Sequence, residues 1–418
     1  MDISVLSLLA LLLAIAISVV SPKNIGILGI ALAFIVGNVI GDLKPDKIIA
    51  GFPLSLFITL AGVTYLFGIA QVNGTIEKLT QYAIKAVRGK VALLPIVLFF
   101  VAFGLSAIGP GHLAIVALMA PPAMLLAEKA GISPFLMALM VGNGGQAGAV
   151  SPIAPTGVIA NSLAAKLGFT GIAFPLFFNT FIGHFAVAMI GYLLFGGLKL
   201  WRQGSNNPNA SAISGIQVES FTKQQNITLV GIIGLLVLAL GFKFDVGLTA
   251  FTIGAVLTML NAADEGKAVK SMPWNTILMV CGVTILIGMM KNVGGMTLFS
   301  NIMAQFSTPY TATLVVGFIA ALVSVYASTS GVILPAFIPI VPDLVTKMGG
   351  GDPLAIIYSI VLAGHLVDVS PLSTTGALLI GAAGPQTDKP ALFRKMLAWG
   401  FAMAFVGAIL SWLFFTVL

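Results

Sequence analysis

Apolar runs of membrane-spanning length recur along this chain, at residues 3–20, 24–41, 53–72, 171–197, 225–242, 246–262, 274–291 and 396–418. A hydrocarbon core is crossed by about 20 apolar residues in helical form, so each run reads as a transmembrane helix. Two further stretches, 91–166 and 309–384, are equally apolar but are broken by Gly, Pro, Ser and Thr. Charged residues are 8% of the 418 and hydrophobic ones 58%, too few charges to cover a water-soluble surface. Lipid is therefore the solvent for most of the chain, and no length remains for a large soluble domain. The net charge of +7 is small and scattered, which points to loop bias and away from a nucleic-acid surface. The single cysteine, Cys281, lies in an apolar run, which excludes a disulfide framework. Met1-Asp2-Ile3 leads into the first run without a basic flank or a small-residue cleavage site, so 3–20 is expected to be a retained span.

The chain is internally duplicated. Pro53, Gly62-Val63-Thr64, Leu66, Gly68 and Gly74 recur 220 positions later as Pro273, Gly282-Val283-Thr284, Leu286, Gly288 and Gly294. Farther on, Pro134, Gly145, Ser151-Pro152 and Thr156-Gly157 recur at an offset of 219 as Pro353, Gly364, Ser370-Pro371 and Thr375-Gly376. A nearly constant offset across so many positions marks repeated units. The first repeat is expected over 1–198, with scaffold helices in 3–72, an interfacial helix at 75–90, a hairpin at 91–130, a broken helix at 133–166 and a helix at 171–197. A polar linker, 199–224, follows, with Gly204-Ser205-Asn206-Asn207-Pro208-Asn209 as its flexible centre. The second repeat, 225–418, has the same plan: scaffold helices in 225–291, an interfacial helix at 294–307, a hairpin at 309–348, a broken helix at 353–384 and a helix at 396–418.

Charge gives the two repeats opposite orientations. In 75–90 the apolar positions 76, 79, 83 and 87 share one face, and the other face is basic, which describes a helix lying on the membrane surface. Its counterpart at 294–307 carries no charge. The positive-inside rule places the first in the cytoplasm and the second outside, with Lys199, Arg202, Lys267, Lys270, Arg394 and Lys395 also cytoplasmic and both termini external. Equivalent elements on opposite faces require an odd number of spans per repeat. The expected fold class is an all-α polytopic membrane protein: two inverted-topology repeats, about ten transmembrane helices, two re-entrant hairpins and two broken helices.

Each repeat contains two breaks. One lies at a hairpin tip, Ser106-Ala107-Ile108-Gly109-Pro110-Gly111-His112 and Ala327-Ser328-Thr329-Ser330-Gly331. The other interrupts a span, from Gly142-Asn143-Gly144-Gly145-Gln146 to Thr156-Gly157 and from Gly364-His365 through Asp368 to Thr375-Gly376. Unwound backbone at membrane depth survives only inside protein or along a polar cavity. Helices starting near 112, 157, 331 and 376, at roughly half a unit charge each, together offer about two positive charges where no Lys or Arg lies within a span away from its ends. That suits a small dianion with cations beside it.

Asp368 is the one acid well inside a span, a candidate for holding a cation or proton; the alternative is a carboxylate capping the helix at Ser370-Pro371. His365, opposite Gln146 in the repeat, is read as cavity-lining. His112 is placed to hydrogen-bond a carboxylate. His184, alone in an apolar helix, is read as structural, and Glu128 and Lys129 as interfacial.

At these residues the sequence resembles the MatC-type malonate/dicarboxylate carriers, within the ion transporter superfamily that also holds the divalent anion/sodium symporters. The resemblance is strongest at Ala50-Gly51-Phe52-Pro53, Val63-Thr64-Tyr65-Leu66-Phe67, Ala70-Gln71-Val72-Asn73-Gly74-Thr75-Ile76, Gln146-Ala147-Gly148 with Ser151-Pro152-Ile153, and Val367-Asp368 with Ser370-Pro371-Leu372-Ser373-Thr374. It implies scaffold helices plus a mobile transport domain with two hairpins, usually in a homodimer working as an elevator in a bacterial-type cytoplasmic membrane. It further implies that tips and broken spans hold the substrate carboxylates and flanking Na⁺, with no other cofactor. Carried onto this chain, the substrate positions are Ser106, Gly111, His112, Asn143, Gln146, Thr156, Ser328, Thr329, Ser330, His365, Thr374 and Thr375. The Na⁺ positions are Gly142, Ser151, Ser328, Thr329, Asp368, Ser370 and Ser373. Ser328-Thr329-Ser330 matches the family's polar tip, whereas Gly109-Pro110-Gly111 departs from it. The expected activity is Na⁺-coupled symport of small dicarboxylates such as malonate or C4 acids. The rivals are proton coupling through Asp368 or His365, a channel, and an intramembrane enzyme. Against the enzyme stand the absence of His-Glu-x-x-His and Gly-x-Ser-x-Gly patterns and three histidines far apart in sequence.

Overall fold

The computed structural model describes residues 2–20, 23–87, 90–203 and 218–417, so the centre of the expected linker and Arg88-Gly89 lie outside the described residues. Among the described residues there are helices and no strands. The first repeat contains α1 (Ile3–Val20), α2 (Ile25–Ile40), α3 (Pro45–Ile49), α4 (Leu54–Val72), α5 (Thr75–Ala86), α6 (Val91–Ala107), α7 (Gly111–Lys129), α8 (Pro134–Ala149), α9 (Pro155–Ala165) and α10 (Ala173–Gln203). The second repeats this order as α11 (Lys223–Gly241), α12 (Val246–Met259), α13 (Glu265–Ser271), α14 (Trp274–Asn292), α15 (Gly295–Gln305), α16 (Ala312–Ser324), α17 (Thr329–Met348), α18 (Pro353–Leu366), α19 (Thr374–Gly381) and α20 (Lys389–Val417). Each helix therefore has its counterpart ten places along.

Two features depart from the sequence expectation. The short helices α3 and α13 were not anticipated; each begins at a local start signal, Lys44-Pro45 and the Asp264 carboxylate accepting from the Lys267 amide at 2.7 Å. The last helix starts at Lys389 and not at 396. Asp388 accepts from the Ala391 amide at 2.9 Å and Pro390 fits the first turn, so the helix nucleates in polar sequence before the apolar run begins.

Seven helices among the described residues are long and apolar enough to cross a membrane, and the shorter apolar ones have 10–17 residues. Length alone does not make a crossing. α6 with α7, and α16 with α17, fold into hairpins whose tips end against spanning helices: Gly109 lies on the Phe67 ring of α4, and Gly331 on the Met279 side chain of α14. Both tips are thus covered by protein, as irregular backbone in a bilayer must be. The departure at the first tip has a steric reason. Gly109 has φ +143°, and a Cβ there would lie 2.1 Å from the Phe67 ring.

The repeats clasp each other reciprocally. α4 packs on α12 and α13, while α14 packs on α2 and α3. At both crossings a glycine meets a glycine: Gly62 against Gly247, and Gly282 against Gly26. A Cβ at Gly62 would come within 2.3 Å of the Gly247 carbonyl, and one at Gly282 within 2.0 Å of the Gly26 carbonyl. Such small-residue contacts let helices approach where lipid supplies no hydrophobic drive. A second group of helices gathers the hairpins, α8–α9, α18–α19, α10 and α20. Outward faces are apolar: Met259 is 81% exposed and Leu194 and Val230 are each 69% exposed. This is a surface for acyl chains, and the protein is a multi-pass membrane protein.

Candidate functional site

All four breaks meet. α8 ends at Ala149 and α9 begins at Pro155; α18 ends at Leu366 and α19 begins at Thr374. Ser151 Oγ donates to the Ala107 carbonyl at 2.5 Å, tying the first break to the first tip, and accepts from the Ala154 amide at 3.2 Å. Thr329 Oγ1 lies 3.0 Å from the Gly364 carbonyl, tying the second tip to the second break. Gln146 of α8 joins the two assemblies, its Nε2 donating to Asp368 at 3.3 Å and to Thr375 Oγ1 at 3.1 Å.

Asp368 is the centre of an oxygen cluster. Its Oδ2 is 2.9 Å from Thr329 Oγ1, and its Oδ1 is 3.4 Å from Ser324 Oγ. The two hydroxyls are 2.5 Å apart. Thr329 has one proton for three oxygen neighbours, so the cluster holds more acceptors than its hydroxyl protons satisfy. Asp368 is buried and makes no ion pair among the described residues. A carboxylate so placed requires a cation or a proton, because an isolated buried charge costs several kcal/mol.

The first repeat puts different groups at the equivalent positions. At the offset of 219, Ser324, Thr329 and Asp368 correspond to Leu105, Pro110 and Ala149. Capping differs as well. Ser328 accepts from the Gly331 amide and Ser373 from the Gly376 amide, each at 3.1 Å, so α17 and α19 begin with side-chain caps. α7 and α9 follow Pro110 and Ala154 and have no side-chain cap. Beside these ends, Ser106 Oγ and Thr156 Oγ1 are buried without a hydrogen-bond partner. Uncapped N-termini with spare hydroxyls leave hydrogen-bond donors free at this break, the kind of group an anion accepts from.

The histidines, distant in sequence, are neighbours. The His365 ring is 5.9 Å from that of His112 and 6.4 Å from that of His184. His184 Nδ1 is 2.9 Å from Asn143 Oδ1, and Asn143 Nδ2 donates to the Leu139 carbonyl at 2.9 Å. His184 Nε2 and both ring nitrogens of His365 are buried without a partner. No group of three His, Cys, Asp or Glu suited to a metal ion occurs among the described residues.

Of the residues singled out from sequence, Gln146, Thr329, Asp368 and Thr375 form one hydrogen-bonded group, and Asn143, His112 and His365 lie in the adjoining histidine cluster. Ser106, Gly111 and Thr156 line the first tip and break; Gly111 packs on Pro155. Ser328 and Ser330 stand together at the second tip, hydroxyls 3.5 Å apart. Ser370 and Ser373 bond within their own break, Ser373 donating to the Asp368 carbonyl at 2.5 Å. Gly142 packs against Val369 and Leu379 beside the second break, and Thr374 is exposed. Ser324 was not singled out from sequence, and His184, read as structural, lies beside His365. A serine in an apolar helix usually bonds its own backbone, so Ser324 gave no signal.

Residues 1–149 match the family described as the dicarboxylate carrier protein MatC N-terminus. Over that stretch the chain is similar to the MatC-type carriers. The uncharacterized transporter Rv2685 of Mycobacterium tuberculosis is 24% identical over 389 residues, covering 87% of this chain and 86% of that protein. The uncharacterized transporter Rv2684 of the same organism is 24% identical over 316 residues, 72% of this chain and 70% of its own length. The crystal structure of the Alcanivorax borkumensis YdaH transporter, described as having an unusual topology, superposes with a TM-score of 0.59 at 15% identity, covering 98% of each chain. At that identity the likeness speaks for the fold. The family match and the relatives together support a transporter of dicarboxylate-carrier type, as the sequence led one to expect.

Proposed function

We propose that this chain is a secondary active transporter that carries a small dicarboxylate, such as malonate or a C4 acid, in symport with Na⁺ across a bacterial-type cytoplasmic membrane. The observation that carries the reading is the buried Asp368 carboxylate, surrounded by Thr329, Ser324 and the Gly364 carbonyl and lacking a cationic side chain. These are hard oxygen donors, the type that binds a hard alkali cation. The substrate carboxylates sit at the uncapped starts of α7 and α9, with Ser106, Gly111, His112 and Thr156. Cation and anion then lie side by side, and each lowers the cost of burying the other. This coupling lets a cation gradient drive anion accumulation.

The same arrangement suits movement of the hairpin-bearing group against the α4–α12 and α2–α14 framework, an elevator within a homodimer. Uptake of labelled malonate and succinate into proteoliposomes, with Na⁺ and pH gradients imposed separately, tests the assignment. Uptake should follow an inward Na⁺ gradient at constant pH. Uptake that follows only the pH gradient removes Na⁺ and leaves Asp368 as a proton carrier.

A further inference from the structure

Between α4 and α12 a slot of about 580 Å³ opens toward the lipid, within the roughly 300–1,000 Å³ of clefts that hold small molecules. Phe57, Ala61 and Tyr65 recur every four residues along α4 and form one wall. Phe251, Ala255 and Met259 form the other along α12 at the same spacing. From Phe57 to Tyr65 the wall runs about 12 Å at 1.5 Å per residue. Each wall is relieved by its alanine, which keeps the slot open. The back is closed because glycines let the helices touch. The Tyr65 ring lies 2.7 Å from where a Cβ on Gly254 would stand, and the Phe251 ring 2.8 Å from one on Gly62. Polar atoms inside are already matched: Tyr65 Oη and Thr258 Oγ1 are 2.6 Å apart, Thr258 also donates to the Gly254 carbonyl at 3.0 Å, and the Trp274 indole donates to the Val269 carbonyl at 2.9 Å. The interior therefore suits an apolar occupant.

One end of the slot is charged. Glu265 lines it from α13, a short helix that also carries exposed Lys267 and Lys270. Glu265 is itself exposed and makes no ion pair among the described residues. Trp274, 38% exposed, lines the same end and supplies the amphipathic ring favoured where lipid meets water. A second lipid-facing groove, of about 460 Å³ between α16 and α20, has apolar side chains alone, such as Phe318 and Phe405. Any acyl chain can coat that groove, whereas the α4–α12 slot adds a carboxylate that selects a head group. We propose that this slot binds a phospholipid with an ethanolamine head. One acyl chain lies between the α4 and α12 walls, the ammonium donates to Glu265, and the phosphate is met by the lysines of α13. A choline head has no N–H to donate, and a glycerol head leaves the lipid anionic and repelled by the carboxylate. None of the lining residues belongs to the tips or breaks, so the site is independent of what the chain carries.

The test uses the full chain purified in detergent with equimolar palmitoyl-oleoyl phosphatidylethanolamine and phosphatidylglycerol, the lipid retained per chain being read by mass spectrometry. The wild type should retain phosphatidylethanolamine about fivefold over phosphatidylglycerol, the scale of an exposed ion pair. Ala255→Trp fills the slot and should cut that retention at least tenfold. Glu265→Lys should reverse the preference. Equal retention of the two lipids by the wild type, or unchanged retention in Ala255→Trp, overturns the site. Should Ala255→Trp fail to fold, Glu265→Lys decides, because its side chain is exposed, and an unaltered preference there overturns the proposal. The rival occupant is a second copy of the chain. Ala255→Cys forming an inter-chain disulfide in liposomes, the native Cys281 being buried, would assign the slot to that contact and overturn the lipid site.

Discussion

In the second repeat the break is lined by Ser324, Thr329, the Gly364 carbonyl and Asp368; in the first, the same positions hold Leu105, Pro110, Gly145 and Ala149. The second repeat caps its inward helix ends with Ser328 and Ser373, and the first leaves α7 and α9 without side-chain caps. One backbone plan thus serves two chemistries. Where oxygens and a carboxylate crowd the break, it suits a cation. Where amides and lone hydroxyls are free, it suits an anion. Duplication supplies the pair of breaks, and substitution within them divides the work.

Moving a carboxylate across that divide should have the largest effect. Ala149→Asp buries a charge among Leu105 and Pro110 with no partner, a cost of about 3–5 kcal/mol. Thermal unfolding in detergent should show a large loss of stability; a stable variant with stronger Na⁺ dependence would mean that the first repeat also takes a cation. Asp368→Asn should come next. Losing the charged member of a buried pair costs about 2–5 kcal/mol, so Na⁺-driven accumulation in proteoliposomes should fall at least ~30-fold. Unchanged accumulation removes Asp368 from the site. Thr156→Ala removes a hydrogen bond to a charged ligand, about 1.5–3 kcal/mol, and should raise the apparent KM for malonate about tenfold while leaving the Na⁺ dependence alone. Ser373→Ala should be mildest. Loss of a helix cap costs about 1 kcal/mol, visible in unfolding temperature and little in uptake.

Much of this plan is readable without coordinates. The constant offset between Gly62-Val63-Thr64 and Gly282-Val283-Thr284 exposes the duplication, and Gly, Pro and Ser in apolar surroundings expose the breaks. Even the capping contrast is written in Pro110 and Ala154 against Ser328 and Ser373. Contacts between distant helices are another matter. His184 looks structural alone because nothing in α10 announces that it will lie beside α18. Ser324 acquires its role only when the second tip brings Thr329 against it. Gly142 is legible as part of a break, but its packing against Val369 and Leu379 of the other repeat is not. The early start of α20 hides in polar sequence because a cap, and not hydrophobicity, sets it.

Na⁺ titration of purified wild-type, Asp368→Asn and Thr156→Ala proteins, followed by unfolding temperature, addresses the division of labour most directly. Na⁺ should stabilise the wild type and Thr156→Ala with a single saturable site and leave Asp368→Asn unmoved. Retained Na⁺ stabilisation in Asp368→Asn, with loss in Thr156→Ala, would contradict a cation site confined to the second repeat.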